Sequence, residues 1–284
     1  MTGGGTQRVG IIGWPLGHTL SPAMHRAAFQ ALGMTDWRYD ALPIPPDQLG
    51  SHLRQLRDEG GYRGLNVTIP LKEVVLPFVE ADETAAALGA VNTIDFRTKG
   101  GHNTDVGGLL ADLAAHELHL PRRRTLVLGA GGAARAAVYA LAQAGAVLAM
   151  HNRTVARAER LIAELGAQVE LLQAQELATW RPQLVVNCTS VGMMKEGEPR
   201  ATEQSPWPAG VPIPTMMTVY DMVYRPARTK LMAQVEAQGG RGISGLGMLV
   251  QQGALSFAIW TGREAPVEVM RMAAERELYG GGEA

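Results

Sequence analysis

Short apolar runs alternate with segments of helical periodicity along most of the chain. Runs of the β type predict strands at residues 9–13, 37–42, 65–69, 91–96, 125–128, 146–151, 184–187 and 218–222. Between them, apolar residues recur three or four positions apart, as at Leu49, Leu53 and Leu56, which is the spacing of one helix face. This alternation predicts an α/β fold in which mainly parallel sheets are covered by helices.

Turn and capping residues divide these elements. Ser21-Pro22 predicts a helix start, with Ser21 as the N-cap and Pro22 in the first helical position. Gly100-Gly101 predicts a turn, and the proline- and glycine-rich residues 197–214 predict a long loop.

Composition limits the class of partner. The 284 residues are 46% hydrophobic and 19% charged, with a formal net charge of -1, so no basic surplus favours nucleic acid. No apolar run approaches the roughly 20 residues that cross a membrane. The single cysteine, Cys188, excludes an internal disulfide, and the N-terminus lacks the apolar stretch of a signal peptide. We therefore expect a cytoplasmic protein without a metal site.

A glycine-rich loop is the first candidate for ligand binding. Gly129-Ala130-Gly131-Gly132-Ala133-Ala134 follows a predicted strand and opens a predicted helix, and it satisfies the pattern G-x-G-x-x-G/A. The first glycine permits a tight turn, and the second lets the backbone approach a pyrophosphate. The small last residue lets helix and strand pack closely. The alternative is a glycine turn that serves packing alone.

The strand after this loop predicts which nucleotide binds. NAD sites place an acidic residue about 20 residues beyond the loop, where it accepts from the ribose 2′-hydroxyl. This chain has Asn152, Arg153 and Thr154 there, followed by Arg157. An arginine can pair with a 2′-phosphate through its planar fork, so NADP is the predicted cofactor. Thr154 has an alternative interpretation as a helix N-cap, and Arg157 as a solvated helix residue.

Four segments concentrate hydroxyl, amide and charged groups at predicted strand ends. They are residues 17–22, 66–73, 89–93 and 103–105. Ligands of open α/β sheets bind beyond the carboxyl ends of the strands. Such a set of side chains suits a small polyhydroxylated acid.

The ordered set of motifs resembles the shikimate dehydrogenase family. The matching segments are HTLSP, NVTIPLKE, GAVNT, NTD, GAGGAARA, NRT, NCTS, YDMVY and GLGMLVQQGA, and together they span nearly the whole chain. The resemblance implies hydride transfer between NADP and shikimate or 3-dehydroshikimate, on the pathway to aromatic amino acids. The pattern of elements predicts a substrate domain of residues 1–105, completed by residues 246–284, and a Rossmann-type NADP domain of residues 106–245.

The resemblance assigns the proton transfer to Lys72 and Asp105. A lysine cation can donate the proton and stabilise a developing oxyanion in the reductive direction, and it must accept a proton in the oxidative direction. Asp105 either orients the lysine or bonds a substrate hydroxyl. Without the resemblance, a solvated lysine and a helix cap are the simpler interpretations.

The remaining site residues also rest on the resemblance. Thr19 and Ser21 are expected to hold the substrate carboxylate, with Tyr224 contacting the same side. The family usually has serine where this chain has Thr19. Asn66, Thr68, Asn92 and Gln252 are expected to bond or orient the ring hydroxyls. Thr189, Met222, Gly245 and Met248 are expected to line the nicotinamide, and Cys188 is expected to be a spacer rather than a nucleophile.

Several alternatives stay open. A quinate/shikimate dehydrogenase that uses NAD would tend to have an acidic residue near Asn152. A folate-type methylene dehydrogenase would not need the HTLSP and NTD segments. A non-catalytic protein that binds NADP and shikimate would not need Lys72 and Asp105 together. Either a monomer or a homodimer is expected.

Overall fold

The computed structural model describes residues 5–17, 19–194 and 197–280. It separates into two compact units. The first comprises Met1–Gly108 and Leu249–Ala284, and the second comprises Leu109–Met248. Both are α/β units with a six-stranded sheet, which confirms the predicted fold class.

The first unit contains short strands that alternate with helices. Its elements in chain order are β1 (Gln7–Gly13), α1 (Ser21–Ala31), β2 (Trp37–Pro43), α2 (Leu49–Asp58), β3 (Tyr62–Val67), α3 (Leu71–Val74), β4 (Glu80–Ala81), α4 (Glu83–Leu88), β5 (Thr93–Asp95), β6 (Gly100–His102) and the start of α5 (Thr104–Ala115). The strand order is β2-β1-β3-β5-β6-β4. Strand β1 pairs in parallel with β2 and β3, whereas β5 is antiparallel to both β3 and β6.

The second unit is a fully parallel sheet. After the end of α5 it contains β7 (Arg124–Leu128), α6 (Gly132–Gln143), β8 (Val147–His151), α7 (Val155–Leu165), β9 (Val169–Leu171), α8 (Leu177–Trp180), β10 (Leu184–Asn187), β11 (Thr218–Asp221), α9 (Lys230–Glu236) and β12 (Arg241–Ser244). The order β9-β8-β7-β10-β11-β12 is the doubly wound order of dinucleotide-binding folds. Its switch point lies between β7 and β10, where such folds bind ligands.

Two helices complete the chain. They are α10 (Leu246–Thr261), which begins in the second unit and ends in the first, and α11 (Val267–Tyr279), which belongs to the first. The indole nitrogen of Trp260 donates to the carbonyl oxygen of Ile94 at 2.9 Å, and the ring is fully buried. This contact fixes the end of α10 to the centre of the first sheet. Among the described residues, no helix is both long and apolar enough to cross a membrane.

The structure corrects two local predictions. Helix α1 has Leu20 at its N-cap, and no side chain caps it there, so Ser21 is the first helical residue and Pro22 the second. The Thr19 hydroxyl instead accepts from the Ser21 backbone N–H at 3.3 Å. Gly100-Gly101 belongs to strand β6 rather than to a turn. The turn lies at residues 96–99, because β5 and β6 pair through Asp95 and Gly100.

Candidate active site

Lys72 and Asp105 form an ion pair in the first unit. The Lys72 Nζ donates to the Asp105 Oδ2 at 2.6 Å, and their side chains are 28% and 16% exposed, so the pair remains open to a small molecule. Lys72 lies in α3, and its carbonyl oxygen accepts from the Val91 N–H. Asp105 lies in the first turn of α5, where the helix dipole favours a negative charge.

Asn92 holds the second oxygen of this carboxylate. Its Nδ2 donates to the Asp105 Oδ1 at 2.8 Å and to the Thr104 hydroxyl at 2.9 Å. Its Oδ1 accepts from the Thr104 N–H at 2.8 Å and from the Thr93 hydroxyl at 3.0 Å. The amide is buried, and both of its hydrogens have acceptors within the protein. Asn92 therefore orients Asp105, whereas its expected bond to a ring hydroxyl stays a prediction.

Asn66 is equally enclosed at the end of β3. Its Oδ1 accepts from the Tyr39 hydroxyl at 2.8 Å. Its Nδ2 lies 2.9 Å from the Ser256 hydroxyl, 3.2 Å from that of Thr93 and 3.3 Å from the Asn92 carbonyl oxygen. One lone pair of Oδ1 is left for a ligand, so Asn66 can accept from a substrate hydroxyl but has no amide hydrogen to donate.

The other predicted substrate residues of the first unit lie at element ends. Thr19 and Ser21 are at the start of α1, and Thr68 follows β3, where its backbone N–H donates to the Ile12 carbonyl. Gln252 lies in α10, with its Oε1 at 3.5 Å from the Asn92 Nδ2. Gln252 thus lies beside the Asn66–Asp105 cluster, whereas Tyr224 belongs to the second unit.

The glycine-rich loop shapes a cavity in the second unit. Gly129 has φ +102°, a conformation that favours glycine, and a Cβ there would lie 2.9 Å from the Thr189 Cγ2. Gly131 is the N-cap of α6, and Gly132 and Ala133 form its first turn, so their N–H groups face the loop without side-chain caps. The cavity beside this loop has a volume of about 760 Å³.

Seven of the predicted cofactor residues line this cavity. They are Gly129, Ala130, Gly131, Asn152, Arg153, Arg157 and Thr189. Both arginines are exposed, and neither makes an ion pair with a carboxylate in the described part of the chain. No acidic side chain lines the cavity as described. Backbone N–H groups and unpaired arginines suit NADP, which carries a 2′-phosphate. They suit NAD less well, because a carboxylate usually binds the ribose of NAD.

The remaining predicted cofactor residues do not line this cavity. Thr154 is the N-cap of α7, and its side chain makes no capping bond there. Gly245 packs directly on Met222, since a Cβ would lie 2.7 Å from the Met222 Cα and carbonyl oxygen. This contact requires glycine at position 245 and fixes the backbone of Met222. Met248 is half-buried elsewhere in the second unit, and so is Tyr224, which was predicted to bind substrate.

The half-buried Cys188 lines the same cavity as a free thiol. Burial, and secondarily the nearby Asp221 carboxylate, raise the pKa of the thiol above its usual range. Since the thiolate is the nucleophile, this environment disfavours nucleophilic chemistry. In the described residues, no group of three or more His, Cys, Asp or Glu side chains is arranged to hold a metal ion.

Sequence reasoning missed the residues that hold the predicted site residues in place. In the first unit these are Tyr39, Thr93, Thr104 and Ser256, and in the second they are Asn187 and Asp221. Asn187 accepts from the Thr189 hydroxyl at 2.8 Å and donates to the buried Asp221 at 2.8 Å. The available signal was a polar residue within an otherwise apolar buried run, as at Ser256.

Comparison with known proteins gives a consistent result over most of the chain. The model of the shikimate dehydrogenase substrate binding domain matches residues 11–94, that of shikimate/quinate 5-dehydrogenase matches residues 112–194, and that of the shikimate 5′-dehydrogenase C-terminal domain matches residues 245–275. A shikimate dehydrogenase (NADP(+)) of Methanopyrus kandleri is 44% identical over 288 residues, covering 96% of each chain.

Two solved structures are similar over nearly their full length. Shikimate 5-dehydrogenase from Thermus thermophilus, in complex with NADP(H) and shikimate, has a TM-score of 0.85 at 36% identity, covering 96% of this chain and 100% of its own. The enzyme from Listeria monocytogenes, in complex with shikimate and NAD, has a TM-score of 0.85 at 30% identity, covering 94% and 96%. The chain belongs to the shikimate dehydrogenase family.

Proposed function

We propose that the protein interconverts 3-dehydroshikimate and shikimate by NADP-dependent hydride transfer. The observation that carries the proposal is the Lys72–Asp105 pair, held in a buried amide and hydroxyl network and partly open to solvent. A polyhydroxylated acid offers the donors and acceptors that such a cluster can bind. Family membership supports the same substrate and cofactor.

Lys72 performs the proton transfer in this proposal. In the reductive direction its ammonium group lies beside the substrate carbonyl oxygen, donates the proton and stabilises the negative charge that develops. In the oxidative direction the amine removes the hydroxyl proton. Asp105 orients Lys72 and is itself held by Asn92. One carboxylate oxygen of Asp105 accepts from Lys72, and the other accepts from Asn92.

The second unit has the features that NADP binding needs. The loop from Gly129 to Ala133 would hold the pyrophosphate, and Arg153, with Asn152 and Arg157 beside it, would hold the 2′-phosphate. Bound nicotinamide supplies or accepts the hydride. Thr189, Met222, Gly245 and Met248 would border the ring, and Thr154 would begin the helix after the arginine.

The remaining substrate contacts belong to the same proposal. Thr19, Ser21 and Tyr224 would bind the carboxylate, and Thr68 and Gln252 would bond ring hydroxyls beside Asn66. We also propose that the enzyme works in the reducing setting of the cytoplasm, which the single free thiol of Cys188 supports.

The test is NADPH formation on mixing the protein with shikimate and NADP. Parallel reactions replace shikimate by quinate and NADP by NAD. Fast reduction only with shikimate and NADP is the expected result. Comparable rates with NAD or quinate would assign a dual-specificity enzyme. Thermal stabilisation by shikimate with no turnover would favour a binding protein and contradict the role of Lys72.

A further inference from the structure

A chain of hydrogen bonds leads through the interior of the first unit to the Asp105 carboxylate. The Tyr39 hydroxyl donates to the Asn66 Oδ1 at 2.8 Å, and the Asn66 Nδ2 donates to the Ser256 hydroxyl at 2.9 Å. Ser256 and Thr93 are 2.8 Å apart, and Thr93 donates to the Asn92 Oδ1 at 3.0 Å. Asn92 then donates to Asp105 at 2.8 Å.

The links of this chain meet at Ser256, Thr93 and Asn92. The single Ser256 proton is donated to the Gln252 carbonyl oxygen at 3.0 Å, so the Ser256 oxygen accepts from the Asn66 Nδ2. Linked hydrogen bonds in a low-dielectric interior strengthen one another. The chain ends at the Asp105 carboxylate, so its fixed geometry acts directly on the partner of Lys72.

Ser256 is the branching point of the network. Its hydroxyl is fully buried and lies 2.9 Å from the Asn66 Nδ2, 3.3 Å from the Thr104 hydroxyl and 3.0 Å from the Gln252 carbonyl oxygen. It occupies an otherwise apolar stretch of α10, so this single side chain brings a hydroxyl from α10 to the ends of β3 and β5. An alanine here would leave the Asn66 amide without its shortest acceptor.

Tyr39 fixes the other end of the chain. Its ring is fully buried and stacks on His25 with centroids 4.4 Å apart and planes inclined by 7°. Burial raises the pKa of the Tyr39 hydroxyl above its usual range, and the nearby Ser21 side chain partly offsets this effect. The Asn92 carbonyl oxygen, which can only accept, lies 3.3 Å from the Asn66 Nδ2 and selects this orientation of the Asn66 amide.

We infer that Tyr39 and Ser256 are positioning residues for the reaction, because they orient Asn66 and, through Thr93 and Asn92, the Asp105 carboxylate that aligns Lys72. The inference rests on the proposed function. Neither residue needs to touch the substrate. Their effect falls on the alignment of the proton-transfer pair and therefore on kcat more than on the KM for NADP.

The test compares Ser256→Ala, Tyr39→Phe and the double variant with wild type. Ser256→Ala should lower kcat by about tenfold, because Asn66 loses its shortest acceptor and Thr93 its hydroxyl neighbour, while the KM for NADP changes by less than about twofold. Ser256→Cys, whose thiol is a weak donor and acceptor, should recover part of the loss. The double variant should lose less than the sum of the two free-energy effects, because both act through Asn66.

Thr261→Ala is the matched control. Thr261 also lies in α10 and donates to the carbonyl four residues earlier, the Phe257 oxygen at 2.8 Å, but it is outside the network. It should lower the melting temperature without lowering kcat. Equal kcat values for the Ser256→Ala and Thr261→Ala variants, or fully additive effects of Tyr39→Phe and Ser256→Ala, would overturn the inference.

A second readout separates this inference from the proposed function. The chain has only four lysines, so ¹⁵N-lysine NMR can resolve the Lys72 Nζ, which Lys72→Met identifies by loss of its signal. Ser256→Ala should shift this resonance, and Thr261→Ala should not. If wild type and Thr261→Ala fail to oxidise shikimate, the proposed function is wrong. An unchanged Lys72 resonance in Ser256→Ala overturns the positioning role in either case.

Discussion

The two units prepare their parts of the site by different means. In the first unit, side chains orient side chains, and the pair Lys72–Asp105 ends a chain of buried amides and hydroxyls. In the second unit, the backbone supplies most of the shape, through the left-handed Gly129 and the first turn of α6. The arginines there remain exposed. Truncation of a side chain should therefore impair chemistry in the first unit, and a change of backbone conformation should impair cofactor binding in the second.

Lys72→Met should have the largest effect. Removal of a positioned proton-transfer group is expected to lower kcat by about 10²- to 10⁴-fold, with a smaller change in KM. Steady-state kinetics with shikimate and NADP measure both constants. Lys230→Met, in an exposed position at the start of α9, is the control and should keep full activity. Near-wild-type kcat for Lys72→Met would remove this residue from the mechanism.

Arg153→Ala tests charge recognition in the second unit. Loss of a charge-assisted hydrogen bond to a 2′-phosphate should weaken NADP binding by about tenfold to a hundredfold and leave NAD binding nearly unchanged. Titration of each nucleotide by calorimetry measures the difference. Arg160→Ala, in the helix that follows Arg153 but outside the cavity, is the control. Equal losses for the two nucleotides contradict the 2′-phosphate role.

Gly129→Ala tests the backbone side of the comparison. A non-glycine residue at φ +102°, with its Cβ against Thr189, should cost about 1 to 3 kcal/mol of conformational strain. The loop can relieve this strain only by changing its conformation. We expect NADP affinity to fall on the order of tenfold. Gly166→Ala is the control, since Gly166 has φ +57°, open surroundings and no place in the cavity. If both variants bind NADP equally, the loop geometry is not what holds the cofactor.

The last prediction concerns stability in acid rather than activity. Burial lowers the pKa of His25 in the first unit from 6.5 to about 3, whereas burial raises the pKa of the Asp221 carboxyl in the second. Between pH 6.5 and about 3 the unfolded chain binds a proton at His25 and the folded chain does not. The free energy of unfolding should therefore fall with decreasing pH, by up to about 1.4 kcal/mol per pH unit from this group.

His25→Leu should remove this part of the pH dependence. Urea denaturation at a series of pH values, followed by circular dichroism, gives the slope for each protein. The wild type should lose stability faster than the variant as the pH decreases below 6.5. Parallel slopes would mean that His25 is protonated in the folded protein.

Local patterns predicted the parts of the fold that depend on neighbouring residues. The strand at Leu184–Asn187 has the predicted bounds, and the glycine loop lies between a strand and a helix as expected. Predictions that depended on one turn were less accurate. The position of Ser21 was wrong by one residue, and Gly100-Gly101 was wrong because strand pairing with β5 overrides the turn preference of glycine.

The sequence by itself determined the class of fold, the family and the residue types available for proton transfer and phosphate binding, because motif order and hydrophobic period are properties of the chain. Only the tertiary structure decided that Ser256 reaches Asn66 from 190 positions away, that Asn92 holds Asp105, and that Asn66 has an acceptor but no donor left for a ligand. The physical reason is that hydrogen-bond satisfaction depends on which buried groups meet in space. A polar residue in an apolar helix indicates that a partner is needed, and the packed fold supplies it.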